Sequence, residues 1–219
     1  MCRGKPTCIE LPSDRAAWDR SCPLPTPKWW ASQVALFAQA FDEFGGGRRE
    51  RCLATLARLR NDEMRDWYIE HGQMSGAHRA RALSVSAPAK PSDDELDGRR
   101  SPKKFQKEVF MRDGYRCRYC GNCVVCPDTL ARFIRDLNHP HLKKGNTNLS
   151  TSGIVHAVWP MADHVVPWSY GGRTEPDNLV TSCFSCNYGK ANFTIEQLGM
   201  ESPFQREPVV DEWVGLAEM

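Results

Sequence analysis

No stretch of the 219-residue chain is apolar for long enough to cross a bilayer. The opening segment, MCRGKPTCIELPS at residues 1–13, lacks the apolar core of a signal peptide. The sequence therefore predicts no membrane association and a cytoplasmic address. Charge of one sign is also scarce overall: 29 Lys and Arg against 27 Asp and Glu leave a net +2, too little to name a partner. There is no internal repeat beyond a single cysteine spacing. What is plentiful is cysteine, ten in all. In a reducing compartment that favours metal over disulfides.

Thr26-Pro27 reads as an N-cap followed by proline at the first helical position. Trp30, Val34, Phe37, Phe41 and Phe44 then recur at helical spacing until Gly45-Gly46-Gly47. A second helix is predicted from about 48 to 71, with Leu53, Leu56, Met64, Trp67 and Tyr68 on one face and Gly72 at its end. The pair reads as a helical hairpin, its aromatic stripe packing helix on helix. His71 and His78 read as exposed histidines near a helix end. Residues 84–100, rich in Pro, Ser and charge, read as a linker. Ser101-Pro102 opens another short helix with Phe105 and Val109 inward. From 99 to 144, twelve Lys and Arg face four Asp and Glu. A local excess of that size suits a polyanion such as nucleic acid, although a solvated basic face has the same composition.

Six cysteines sit in CxxC spacings, whereas Cys2, Cys8, Cys22 and Cys52 are unpatterned. Two CxxC pairs far apart in sequence commonly build a four-cysteine zinc site. Gly121 follows Cys120 and permits a sharp turn, while Cys126 runs into Pro127, which has no N–H. The reading is one structural Zn²⁺ on Cys117, Cys120, Cys183 and Cys186. A closed site from 117 to 126 would be cramped, and an iron–sulfur cluster is the other use of such spacing. Cys123 and Cys126 could join His139 and His141 in a second zinc site stapling an insertion at about 122–160; His156 lies in the same insertion.

The ordered set Asp163-His164-Val-Val-Pro, Gly171-Gly172, Asp177-Asn178-Leu179-Val180 and Cys183-x-x-Cys186-Asn187-x-x-Lys190, preceded by VFMRDGYRCRYCG, resembles the HNH endonuclease family. The likeness is to the branch whose ββα-metal core is braced by a four-cysteine zinc, and it spans roughly 105–194. It implies that Asp163 and Asn187 hold one catalytic Mg²⁺ or Mn²⁺, with Asn187 standing where histidine is frequent in the family. It further implies His164 as general base and Asn178 as holder of the hairpin loop that orients it. The expected reaction is DNA phosphodiester hydrolysis giving 5′-phosphate and 3′-hydroxyl ends. Residue chemistry agrees: adjacent strand positions face opposite ways, so Asp163 and His164 can do different jobs. Arg173, Lys190, Lys103 and Lys104 are candidate nucleic-acid contacts, with ordinary surface cations as the plain alternative.

The fold expected is α+β, an N-terminal helical region (1–83), a linker (84–100), a nuclease domain (101–199) and a tail (200–219). The expected partner is DNA, double-stranded, with a homodimer left open. Restriction, phage defence or a mobile element would suit such a chain. A non-catalytic zinc module for nucleic acid and an RNA-cleaving toxin are the rival readings.

Overall fold

The computed structural model describes residues 14–72, 75–92, 94–96 and 100–216. Cys2, Cys8 and parts of the expected linker lie outside them. The fold is α+β. Helices α1 (Trp30–Gly45), α2 (Arg49–Leu56), α3 (Asn61–His71) and α4 (Ser75–Leu83) come first, followed by α5 (Gln106–Arg112), α6 (Pro127–Leu137) and α7 (Gly153–Val158). Then β1 (Pro160–His164), β2 (Leu179–Cys183) and α8 (Phe184–Lys190) complete the order. Among the described residues no helix is long and apolar enough to cross a membrane.

Helix α1 starts three residues later than the Thr26-Pro27 signal predicts. Trp29 and not Thr26 occupies the N-cap position, without a side-chain cap; the Thr26 hydroxyl accepts Asn122 Nδ2 at 3.1 Å, and the first turn closes from Trp30 N to Pro27 O. Trp30, Val34, Phe37 and Phe41 are buried as the stripe requires. Their partner is not only the next helix: Phe133 of α6 meets Phe37, Phe41 and Phe44 with ring centroids 5.1–5.7 Å apart.

The second predicted helix is two, α2 and α3, broken over 57–60. Arg58 N and Leu59 N tighten onto carbonyls three residues back, and Gln33 Oε1 of α1 then takes Arg60 N at 2.8 Å. A buried side chain on a neighbouring helix thus turns the chain where no glycine or proline does. His71 is also placed differently from its reading. It is 6 % exposed, stacked on Trp67 at 5.1 Å, with Nδ1 bonded to the Trp67 carbonyl. His78 is half-buried.

Two apolar cores result. One joins α1, α2 and α3 to α6 and α7, so the 122–160 insertion supplies the wall on which the N-terminal helices pack. The other gathers Val109, Phe110, Tyr119, Ala162, Leu179 and Val180 around the strands. Strands β1 and β2 pair antiparallel, with Pro160 opposite Cys183 and His164 opposite Leu179. Helix α8 follows β2 without a break and packs across both strands. Its outer face, Phe184 and Tyr188, lies against Tyr68 of α3 at 4.6 and 5.6 Å, which seams the two cores together.

Candidate metal centre and active site

The first CxxC pair sits on a tight hairpin. Arg116 bridges Cys123, Cys117 N donates to Asn122 O, and Gly121, at φ +75°, returns its amide to Cys117 O. This hairpin is docked on the free edge of β2 by Arg118 N donating to Thr181 O at 2.8 Å. The same edge is held from α5: Asp113, 1 % exposed, accepts Thr181 N at 2.7 Å. Its neighbour Arg112 donates to Pro176 O and Leu179 O. The second pair begins at the end of β2, where Cys183 Sγ caps α8 by accepting Cys186 N at 3.5 Å.

These elements bring Cys117, Cys120, Cys183 and Cys186 together with all four sulfurs within 4.8 Å of one another. Cys120 Sγ and Cys183 Sγ are 3.7 Å apart. Tetrahedral zinc–thiolate bonds of about 2.3 Å would hold sulfurs about 3.8 Å apart, so the donor set fits a structural zinc. Cys117 is driven well below the ordinary thiol range: burial opposes its ionisation, but hydrogen bonds from Cys120, Cys183 and Cys186 outweigh it. Burial, followed by the bond with Cys117, pushes Cys186 well above that range. An assembly in which one thiol ionises at its neighbours' expense is what a cation would resolve.

Cys123, Cys126, His139 and His141 are not gathered in this way. Among the described residues the four-cysteine group is the one set of three or more Cys, His, Asp or Glu whose ligand atoms converge. Cys123 Sγ accepts Arg116 Nη1 at 3.1 Å. The His139 and His141 rings lie 4.9 Å apart, tilted by 37°. His156 is buried between Tyr68 and Phe184, with Nε2 bonded to Asn148 O at 3.0 Å.

Asp163 and His164 end β1. Asp163 is buried, and His164 is half-exposed beside it. Asp163 Oδ2 accepts the Tyr119 hydroxyl at 2.7 Å and faces Lys190 Nζ at 3.3 Å. Burial first, then the neighbouring Asp163, raise Tyr119 well above the ordinary phenol range, so it stays a donor. Tyr119 lies between Cys117 and Cys120, and the cysteine hairpin thus delivers it to the carboxylate. Lys190, read from sequence as a phosphate contact, is 1 % exposed, and its ammonium also donates to His164 O at 2.7 Å. A cation anchored on both members of the Asp-His pair fixes their strand end.

His164 Nε2 meets Thr174 Oγ1 at 2.9 Å, and the same hydroxyl donates to Arg100 O at 3.4 Å. Asn178 touches the backbone of the loop and not the imidazole. It donates to Val166 O and Arg173 O, and Val166 N donates to its Oδ1. The loop closes so tightly that a Cβ on Gly172 would stand 1.8 Å from Val166 O. Asn187, half-buried on α8, borders with Asp163 and His164 a cavity of about 1020 Å³ that Arg100, Trp168 and Tyr188 also line. Lys103, Lys104 and Arg173 are exposed; the first two adjoin Ser101 and Pro102, which line the same cavity. Tyr119, Thr174, Arg112 and Asp113 carried no readable signal, because each acts through a partner distant in sequence.

A β-hairpin crossed by one helix, with an acid and a histidine at the strand end and four convergent thiols bracing its edge, is a ββα unit with a group able to hold a metal ion. Residues 160–193 match the family model described as HNH endonuclease, and the chain thus carries an HNH segment running from β1 to just beyond α8. No curated protein and no solved structure matches the chain.

Proposed function

We propose that the chain is a metal-dependent endonuclease that hydrolyses DNA phosphodiester bonds. The observation that carries this reading is that Asp163, His164 and Asn187 border one open cavity, within the segment matching the HNH endonuclease family. Because the Thr174 hydroxyl donates to Arg100 O, it accepts from His164 Nε2–H. That tautomer leaves Nδ1 as the basic nitrogen. His164 then takes a proton from water as the water oxygen bonds to phosphorus. The phosphorus–3′-oxygen bond breaks and the departing oxygen takes a proton from solvent water, leaving a 5′-phosphate and a 3′-hydroxyl. Asp163 and the Asn187 carboxamide offer oxygen donors of the kind that suit Mg²⁺ or Mn²⁺. When bound there, such a cation supplies charge stabilisation to the phosphate and the departing oxygen.

Duplex DNA is the substrate favoured by the exposed Lys103 and Lys104 beside the cavity, which would meet the backbone without reading sequence. The test is plasmid cleavage with Mg²⁺ or Mn²⁺, with end mapping, by the wild type and His164→Ala, and with structured RNA in parallel. Divalent-dependent cutting of DNA that disappears in the variant, with DNA binding kept, supports the reading. No cutting by the wild type under any divalent cation would make the chain a binding module, and cutting confined to RNA would make it a ribonuclease.

A further inference from the structure

A fifth cysteine reaches the metal centre from the far side of the chain. Cys22 is 1 % exposed, and its sulfur lies 3.6 Å from Cys186 Sγ, close to the 3.7 Å between Cys120 and Cys183. Cys22 also lines one cavity with Cys117 and Cys120. The segment that carries it is fixed on three sides. Asp19 Oδ1 accepts Ser21 N and Cys22 N, Arg206 Nη2 donates to Ser21 O, and Arg79 Nη1 donates to the carbonyls of Asp19 and Cys22.

Arg79 is the second, independent observation. It is 1 % exposed, packs over Trp18 at 5.1 Å, and no carboxylate of the described residues forms an ion pair with it; its Nε has no hydrogen-bond partner. A buried guanidinium without an acid is costly unless other negative charge stands nearby. Its Nη1 lies 3.3 Å from Cys22 O and 3.1 Å from Asp19 O, which sets the guanidinium beside the thiol group. A zinc ion on four thiolates carries two surplus negative charges, and Arg79 is placed to balance them from the Cys22 side. Of the four convergent ligands only Cys120 is not fully buried, and Cys22, Cys117 and Cys120 line a cavity of about 470 Å³. Cys120 is therefore the bond most open to water and competing ligands.

We propose that Cys22 is a reserve ligand of the zinc centre, which completes the tetrahedron when Cys120 disengages. The metal then links the segment around residue 22 to both CxxC hairpins, and an opened Zn–Cys120 bond is recaptured before the ion escapes. The inference rests on zinc occupying the four-cysteine group and is independent of the nuclease reading, since none of its readouts involves cleavage.

Zinc per chain, measured on purified protein, tests it directly. Wild type and Cys22→Ser are expected to hold one zinc, Cys120→Ser close to one, and the Cys22→Ser/Cys120→Ser double variant far less. Should Cys120→Ser be as zinc-poor as the double variant, or the double variant remain full, the proposal fails. It fails also if Cys22→Ser alone is empty, which would make Cys22 an obligatory ligand. Because Cys120→Ser could disturb folding, the rate of zinc transfer to a chromogenic chelator supplies a second measure. Cys22→Ser is expected to release zinc about tenfold faster than wild type, within the range that metal-site partners command. Cys52→Ser, buried in the other core, is expected to match wild type. Equal rates in Cys22→Ser and wild type, or a wild type that carries no zinc, would overturn the assignment.

Discussion

At the scale of single residues, the site is governed by side chains that hold other side chains. Tyr119 is the clearest: a phenol inside a cysteine hairpin donates to the carboxylate at the end of β1. Tyr119→Phe keeps the ring and loses the bond. The expected result is full zinc content with about 10- to 100-fold weaker response to Mg²⁺, the usual cost of removing a partner that orients a metal ligand. A magnesium titration of cleavage checks it. Lys190 has a different weight. Its ammonium and the Asp163 carboxylate are 1 % and 9 % exposed, and removing one partner leaves a buried charge. Lys190→Met is expected to lower stability by about 3–5 kcal/mol, read from urea unfolding without added divalent cation, whereas a surface phosphate contact would cost almost nothing.

At the scale of elements, the 165–178 loop between the strands carries Thr174, the partner of His164 Nε2. Asn178 staples it from inside, and Gly172 lets it close. Gly172→Ala would force Val166 O and Asn178 Nδ2 away from a Cβ at 1.8 and 2.7 Å. The expected cost is about 1–3 kcal/mol, with faster proteolysis inside the loop and loss of cleavage while zinc is retained. Elements also show what could be read beforehand. The stripe of α1, the CxxC spacings and the intervals from His164 to Asn178 and Asn187 are periodic or ordered along the chain, so they were legible. The break between α2 and α3 depends on Gln33 reaching Arg60, and burial of His71 on Trp67. Cys22 has no spacing at all. Each needs a partner that only the folded chain selects.

At the scale of the molecule, the N-terminal helices and the HNH segment meet in one aromatic seam. Tyr68, His156, Phe184 and Tyr188 lie ring against ring. Burial holds the His156 imidazole below its ordinary value of 6.5, against a smaller upward pull from the Asn148 carbonyl. The sign follows from linkage: in the unfolded chain the ring takes a proton near 6.5, in the native chain only at lower pH. Stability from this group is therefore complete above about 6.5 and declines as pH falls through the window beneath it. Denaturant unfolding at pH 7.5 and 6.0 is expected to show a smaller loss for His156→Phe than for wild type. Both proteins carry the same thiol centre, so the difference isolates the seam.

The placement of the two cysteine pairs has a consequence in time. Cys183 follows Cys117 by 66 residues (183 − 117), and closing such a span comes later in folding than neighbouring helices pairing. A chain on the ribosome that has not reached residue 183 owns two of the four thiols, no α8, and neither Asn187 nor Lys190. Its Asp163 has no ammonium beside it, and its His164 no completed strand partner. The group of Asp163, His164 and Asn187 is thus assembled only after α8 has been made.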